Sequence, residues 1–211
     1  MKKLPVALLT LLLTVSGACQ APAVRLERLA LEQRTEAQTE VRRSQDALAK
    51  NERLHERADK VRKILEQQGK ELTALDELYA ALVLVESDRP EDLEAAQLIA
   101  LKSAEGGENR GFRVAAEAQD RLLVKRGMAQ RYGTQFVWEP VNRIWRLYPI
   151  DPRTSDAERK AMGVPTMSEL KAQEAKLNAD FKADEAKRKS QKQPQKQTPK
   201  PGQPKQGQQP K

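Results

Sequence analysis

The sequence predicts a mainly α-helical protein: an antiparallel helical domain with one small β-hairpin, a long N-terminal helix and a disordered C-terminal tail. Three observations carry this prediction. Residues 24–68 contain neither proline nor glycine and are rich in good helix formers. Residues 134–148 contain both tryptophans in two alternating runs that are typical of strands. Residues 187–211 contain no aliphatic or aromatic side chain, so they cannot offset the entropy of ordering.

The first 18 residues have the pattern of a signal peptide. Two lysines precede an apolar segment over residues 6–15, and three small residues follow it. The apolar segment is too short to span a bilayer as a mature helix. Cys19, the only cysteine of the chain, comes next. Its position resembles the lipobox of bacterial lipoproteins, in which the cysteine is lipidated, although Ser16 stands where leucine is commoner.

A second interpretation of the N-terminus is an ordinary secretory signal cleaved after Ala18, with Cys19 incidental. We favour lipidation because the lone cysteine would otherwise be a free thiol in an oxidising compartment. The resemblance implies an exported protein, anchored to a membrane through Cys19 and facing the periplasm or the exterior. In an organism with two membranes, Gln20 in place of aspartate resembles an outer-membrane sorting signal.

Residues 19–56 are interpreted as a lipid anchor followed by a charged helical stalk. Apolar residues are sparse here, and the pairs Val41/Leu48 and Leu54/Val61 are each seven apart but mutually out of phase. A coiled coil needs sustained heptads, so we expect a solvated helix, with weak self-association left open.

Residues 57–186 are predicted to form a mainly helical domain. Residues 76–85 are apolar nearly all round, as in a buried helix. A second helix is expected to start through Asp88 with Pro90 in its first turn, and to end at the glycine pair 106–107. Asn109 and Gly127 are expected to bound a third. The turns between them are short, which favours antiparallel neighbours.

The hairpin and two more helices complete the predicted domain. The two strand-like runs are residues 134–138 and 143–148, joined by a turn. Because an isolated hairpin is marginally stable in water, one of its faces must pack on the helices. A short helix capped at Ser155 and stopped by Gly163 follows. The last helix carries Leu170, Leu177 and Phe181 on one stripe.

The net charge of the chain resides in its tail. The chain has 38 basic and 30 acidic residues. Eight of the basic residues and none of the acidic ones lie in residues 187–211, so residues 1–186 balance at 30 of each. The tail can contact anionic envelope polymers or lipid headgroups, and salt would weaken this contact. The alternative is a solvated tether, and the neutral domain argues against nucleic-acid binding.

Metal, triad and phosphate-loop chemistry have no support in the sequence. The chain has one histidine, His55, and one cysteine, which cannot make a zinc site or a Ser/His/Asp triad. The glycine pair 106–107 lacks the lysine and hydroxyl residue of a phosphate loop. We therefore predict no metal, no cofactor and no assigned catalytic residue.

One polar constellation remains, around a turn between the third helix and the hairpin. A functional interpretation makes Asp120 a base or ligand anchor, with Tyr132 and two glutamines as partners. A structural interpretation has Asp120 or Arg121 tie the hairpin to the helix and satisfy backbone groups around Gly133. We favour the structural interpretation, because polar residues at turns are usually structural. The constellation comprises Asp120, Arg121, Gln130, Tyr132, Gly133, Thr134 and Gln135.

The run from Ala115 to Phe136, with the core Gln-x-Tyr-Gly-Thr-Gln, resembles a bacterial domain of unknown function, the family numbered 6624. The similarity covers about residues 58–178. It implies a small, mainly helical domain, frequent in exported proteins and without an established activity, whose motif falls on the constellation above. Members tend to carry Gln-His-Gly after the first buried helix, whereas this chain has Val85-Glu86-Ser87. The missing histidine lowers the case for an enzyme.

The sequence thus predicts an exported lipoprotein that acts as a non-catalytic binding or structural module of the cell envelope. Two alternatives stay open. The first is an enzyme that uses Asp120 and Glu86 beside Tyr132, which requires the two carboxylates to converge in one pocket. The second is a protein that binds anionic polymers through its basic tail.

Overall fold

A computed structural model describes residues 21–40, 47–68 and 71–192. Within these ranges it has seven helices and one two-stranded antiparallel sheet, which confirms the mainly α prediction with a hairpin. The elements are α1 (Pro22–Glu40), α2 (Ala47–Gln68), α3 (Ala74–Leu84), α4 (Pro90–Glu105), α5 (Arg110–Lys125), β1 (Phe136–Glu139), β2 (Ile144–Leu147), α6 (Asp156–Ala161) and α7 (Met167–Lys192). The predicted signal peptide, Cys19 and residues 193–211 lie outside the described ranges.

The N-terminal segment is not one continuous helix, so that prediction is wrong. Glu36 of α1 forms ion pairs with both Arg53 and Arg57 of α2. In a single straight helix Glu36 and Arg57 would be about 31 Å apart, at 1.5 Å per residue. The two helices therefore lie antiparallel to each other.

The prediction of a solvated helical stalk within residues 19–56 is also wrong, because α1 and α2 both contribute to the core. Leu26 is fully buried and Leu29 nearly so, and both belong to one apolar cluster with side chains of α2 and α3. The stripe at positions 26, 29 and 33 is the spacing of one helix face. A few apolar residues on α1 are enough for this packing, because α3 is apolar on most sides and several helices share in covering it.

The three central helices follow their predicted boundaries closely. α3 is buried as expected and starts at a capping box between Thr73 and Asp76. Pro90 is the first residue of α4, although its N-cap is Arg89 rather than Asp88. α5 crosses α4 in close contact at Gly111, where a Cβ atom would lie 2.2 Å from the Ala100 carbonyl oxygen. A larger residue at this crossing would therefore push the two helices apart.

The hairpin packs on α7, which confirms that one of its faces contacts a helix. Trp138 lies opposite Trp145 in the register of the sheet, with ring centroids 5.5 Å apart. Phe181 of α7 completes this aromatic cluster, 4.6 Å from Trp138. The side chain of Asn178 accepts the Trp145 N–H and donates to the Trp145 carbonyl oxygen. α7 thus covers the outer edge of β2, which would otherwise be open to pairing.

α6 begins as the sequence predicts, and α7 ends later than predicted. Ser155 forms a capping box with Glu158, and Gly163 follows α6 with φ of 63°. α7 extends to Lys192, so residues 187–192, predicted as disordered tail, are helical. Lys, Arg, Ser and Gln tolerate helix, and adding a turn to an existing helix is easier than nucleating one. No helix within the described ranges is long and apolar enough to cross a membrane.

Candidate functional site

The carboxylate of Asp120 lies at the centre of the predicted constellation. Asp120 is fully buried near the C-terminal end of α5. Its Oδ1 accepts hydrogen bonds from the backbone N–H groups of Arg131 at 2.7 Å and Tyr132 at 2.9 Å. Its Oδ2 accepts the N–H groups of Gly133 and Thr134 and the Thr134 hydroxyl, each at 2.9 Å. Four consecutive backbone N–H groups thus converge on one side chain.

This arrangement resembles an anion-binding turn whose anion is supplied by the protein itself. Successive N–H groups at a turn commonly bind anions, and here the anion is the Asp120 carboxylate itself. A carboxylate offers about four lone-pair positions, so its capacity to accept hydrogen bonds is used up. The structural interpretation of Asp120 is confirmed, because it ties the start of the hairpin to α5. Accepting a proton from a substrate would require these bonds to break.

Gly133 is required at this turn for two separate reasons. Its φ of 102° is favourable for glycine and rarely adopted by other residues. A Cβ atom there would also lie 2.4 Å from Leu170 Cδ1 and 2.9 Å from Ile150 Cδ1. The turn therefore packs directly against α7 and the segment after β2.

Gln130 joins the two ends of the hairpin. Its side chain is fully buried, and its Nε2 donates to the carbonyl oxygens of Gln135 and Tyr148, both at 2.9 Å. Its Oε1 accepts the Gln135 N–H at 2.8 Å, and its backbone forms an isolated bridge with Ile150. Within the described residues, the side-chain hydrogen bonds of Gln130 therefore all go to the protein's own backbone.

Tyr132 is a core side chain, 6% exposed, packed with Ala116 and Val164. Burial raises the pKa of its phenol above the ordinary value, which keeps the phenol neutral at physiological pH. The Tyr132 carbonyl oxygen accepts a hydrogen bond from Nε of Arg159 at 3.1 Å. Arg159 is itself buried and pairs with Asp156, so the turn is also tied to α6.

Arg121 is adjacent to Asp120 in sequence, but its side chain contacts a different part of the fold. Its Nη1 donates to the Val85 carbonyl oxygen at 2.8 Å, and its Nη2 lies 3.1 Å from Glu86. The last carbonyl groups of a helix lack intrahelical partners, and a cation is favourable there. Arg121 therefore closes the C-terminal end of α3. Glu86 occupies the position at which the resemblance leads us to expect a histidine, and it lies beside Arg121.

A shallow depression of about 290 Å³ is lined by Arg121, Glu86 and Gln135, among others. Gln135 also donates from its Nε2 to the Thr134 hydroxyl. It therefore connects the depression beside Arg121 with the turn that Asp120 holds. Asp120 does not line this depression. The convergence of Asp120 and Glu86 in one pocket, which the enzyme alternative requires, is therefore not found at this depression.

A larger groove lies beside α1, where sequence reasoning predicted a solvated helix and so missed it. Its volume is about 600 Å³, and side chains of α1, α2 and α3 form most of its lining. Gln33 of α1 is buried there, and its Nε2 donates to the Leu82 carbonyl oxygen at 3.2 Å. The Oε1 of Gln33 has no hydrogen-bond partner within the described residues. The stripe at positions 26, 29 and 33 was the sequence signal that α1 packs on the core, since Leu26 and Leu29 belong to the apolar cluster.

A buried ionic cluster occupies the start of α4, apart from the predicted constellation. Asp92 is fully buried and accepts hydrogen bonds from Ser87, Arg89 and Arg62, each at 2.6 Å. His55, the only histidine, lies 2.5 Å from Asp88 through its Nε2. Within the described ranges no group of three or more His, Cys, Asp or Glu side chains is placed to hold a metal ion.

The chain matches no protein-family model, no curated protein and no solved structure. The resemblance to family 6624 therefore stays a prediction that rests on the residues quoted for it. The geometry of the site makes most of the motif a joint between α5, the hairpin and α6.

Proposed function

We propose that the chain is an exported lipoprotein that acts as a non-catalytic binding or structural module of the cell envelope. The observation that carries the non-catalytic part is the Asp120 carboxylate, which is buried and accepts four backbone N–H groups and a hydroxyl. A general base needs an accessible lone pair within reach of its substrate. Asp120 is instead used to hold the turn in place.

The export and anchoring part of the proposal is supported by the sequence around Cys19. A signal-like segment precedes this cysteine, and α1 begins at Pro22, three positions later. Lipidation there would hold the helical domain close to the membrane surface. One acyl chain alone gives marginal binding, whereas several chains anchor a protein stably.

Fractionation of cells that express the full chain tests the anchoring. With a radiolabelled fatty acid in the medium, we expect the protein to be labelled and found in the membrane fraction. The Cys19→Ala variant should carry no label and leave that fraction. A matched control is Ser190→Ala, an exposed position of α7 that lies outside the signal and retains the cysteine. An unlabelled wild-type protein, or a Cys19→Ala variant that stays in the membrane, would contradict the anchoring.

The alternative of an enzyme around Asp120 has less support, because Asp120 is fully buried and lines neither the depression nor the groove that Glu86 lines. The tail offers a different activity, the binding of anionic polymers, and the observation that favours it is the cluster of eight basic residues in 187–211. Retention on a polyanionic resin tests this second function. We expect salt-sensitive retention of the full chain and its loss after truncation following Ala186. Retention of the truncated protein would assign the binding to the folded surface instead.

A further inference from the structure

The groove beside α1 leaves apolar side chains open to solvent. Leu31 of α1 is 62% exposed and Leu82 of α3 is 36% exposed, and both line the groove together with Tyr79. On the same helix Leu78, Val83 and Leu84 are buried, so the strip at Tyr79 and Leu82 is the part of α3 that this groove leaves uncovered. An apolar groove flanked by charged residues is a typical docking site for an amphipathic helix.

Two charged residues on the α1 side of this groove have no partner among the described residues. Glu27 and Arg34 both line the groove and are exposed, and neither has an ion pair or hydrogen bond within the described ranges. By contrast, Glu36 on the same helix pairs with Arg53 and Arg57. Charges that are left unpaired beside an apolar strip are available to a docked partner.

The spacing of these charges makes α1 complementary to itself. Glu27 and Arg34 are seven residues apart, which places them on one face and about 10.5 Å apart along the helix axis. Ala30 and Leu31 lie midway between them on that face. We define the face of Glu27, Ala30, Leu31 and Arg34 as the α1 face.

We propose that the α1 face is a self-association surface, on which a second copy of the chain docks its own α1 in antiparallel orientation. A two-fold axis that passes between Ala30 and Leu31 brings Glu27 opposite Arg34 of the second copy, and Arg34 opposite its Glu27. Ala30 then meets the larger Leu31 of the second copy, and that leucine covers the strip at Tyr79 and Leu82. This is an isologous contact, which closes as a dimer.

The choice of a second copy rests on charge complementarity. An antiparallel copy of the same helix pairs both charges and covers the apolar strip at the same time. A helix from another protein would have to carry the same charge order by coincidence. The proposal goes beyond the proposed function, since it needs neither lipidation nor the absence of catalysis.

Charge reversal provides a sharp test on the full chain, purified from whichever cell fraction contains it and studied by sedimentation. We expect the wild-type protein to dimerise. Glu27→Arg places a second guanidinium opposite Arg34 of the other copy, and Arg34→Glu places two carboxylates together in the same way. Each variant alone should dimerise about tenfold more weakly, since two facing pairs turn from attractive to repulsive. An equimolar mixture of the two variants should restore dimerisation, because opposite charges then face each other.

The apolar part of the surface is tested with a matched pair of variants. Leu31→Asp should abolish the dimer. Leu98→Asp should leave it intact, because Leu98 of α4 is also exposed, at 69%, but does not line the groove. Circular dichroism on heating verifies that every variant is folded. A wild-type protein that stays monomeric overturns the proposal. So does a dimer that the two charge reversals leave unchanged, or one that the mixture fails to restore.

Discussion

Asp120 Oδ2 accepts a hydrogen bond from the Gly133 N–H at 2.9 Å, although 13 residues separate the two in sequence. This contact fixes where the chain leaves α5 and enters the hairpin. The same carboxylate holds the three neighbouring N–H groups, so the turn has few other conformations in which its buried donors are satisfied. A motif that looks like a catalytic cluster in the sequence is therefore mostly a joint between helix and hairpin.

Gly133→Ala should destabilise the protein through both backbone strain and a packing clash. Gly107→Ala is the matched control, because Gly107 has a similar φ of 106° but no atom within 4 Å of its added Cβ. We expect Gly133→Ala to lower the free energy of unfolding by about 2 kcal/mol more than Gly107→Ala does, as for an overpacked core. Urea denaturation of both variants measures the difference. Equal losses would mean that Leu170 and Ile150 do not confine this turn.

Asn178→Ala should weaken the covered edge of β2. The variant loses the two hydrogen bonds of the side chain to the Trp145 backbone, at about 1 kcal/mol of stability each at most. Gln173→Ala on an exposed position of the same helix serves as control. The Trp145 amide should exchange its hydrogen faster in Asn178→Ala alone, as measured by NMR. Unchanged exchange would show that α7 does not protect this edge.

Stability in acid should depend on Asp92. Burial raises the pKa of its carboxyl, but hydrogen bonds from Ser87, Arg89 and Arg62 outweigh this effect and hold the pKa below the ordinary value. A carboxyl whose pKa is lower in the folded state stabilises the fold at pH values above its unfolded-state pKa, about 3.9. This stabilisation is lost as the pH falls through the folded-state pKa. The net contribution therefore decreases below about pH 4.

The Asp92→Asn variant isolates this contribution. At pH 7 we expect it to be about 3 kcal/mol less stable than wild type, because it breaks a buried ion cluster. The difference should narrow as the pH falls below about 4. Other carboxyls with lowered pKa values, such as Asp151 beside Arg153, affect both proteins equally, so their contributions cancel when the two stabilities are subtracted. Urea unfolding from pH 7 to pH 2 measures the difference, and a gap that stays constant would contradict the assignment.

Local signals in the sequence predicted most helix boundaries. Residues that start or stop a helix act within one turn of the chain, so the helix ends they set can be predicted without knowing the fold. Examples are Pro90, Gly127, Ser155 and Gly163. The antiparallel arrangement of α1 and α2 could not be read in this way. It depends on contacts between positions about 20 residues apart, such as Glu36 with Arg57, and no proline or glycine lies between them.

The candidate site was predicted as a set of residues but not as an arrangement. Asp120, Gln130, Tyr132, Gly133 and Thr134 do meet, because a carboxylate near a helix end can reach the turn that follows it. Arg121 points to the end of α3 instead, since adjacent residues on a helix face about 100° apart. Only the tertiary packing of α5 on α3 decides which of the two neighbours reaches the turn.

The most direct measurement of the central claim, that the motif is a structural joint, compares Asp120→Asn with Asp180→Asn in urea unfolding. Asparagine is nearly isosteric, but it would place N–H donors against at least two of the backbone donors now bound by Asp120. We expect Asp120→Asn to lose about 3 kcal/mol or more. Asp180 is exposed on α7, and its variant should lose under about 0.5 kcal/mol. Equal stability of the two variants would contradict the account.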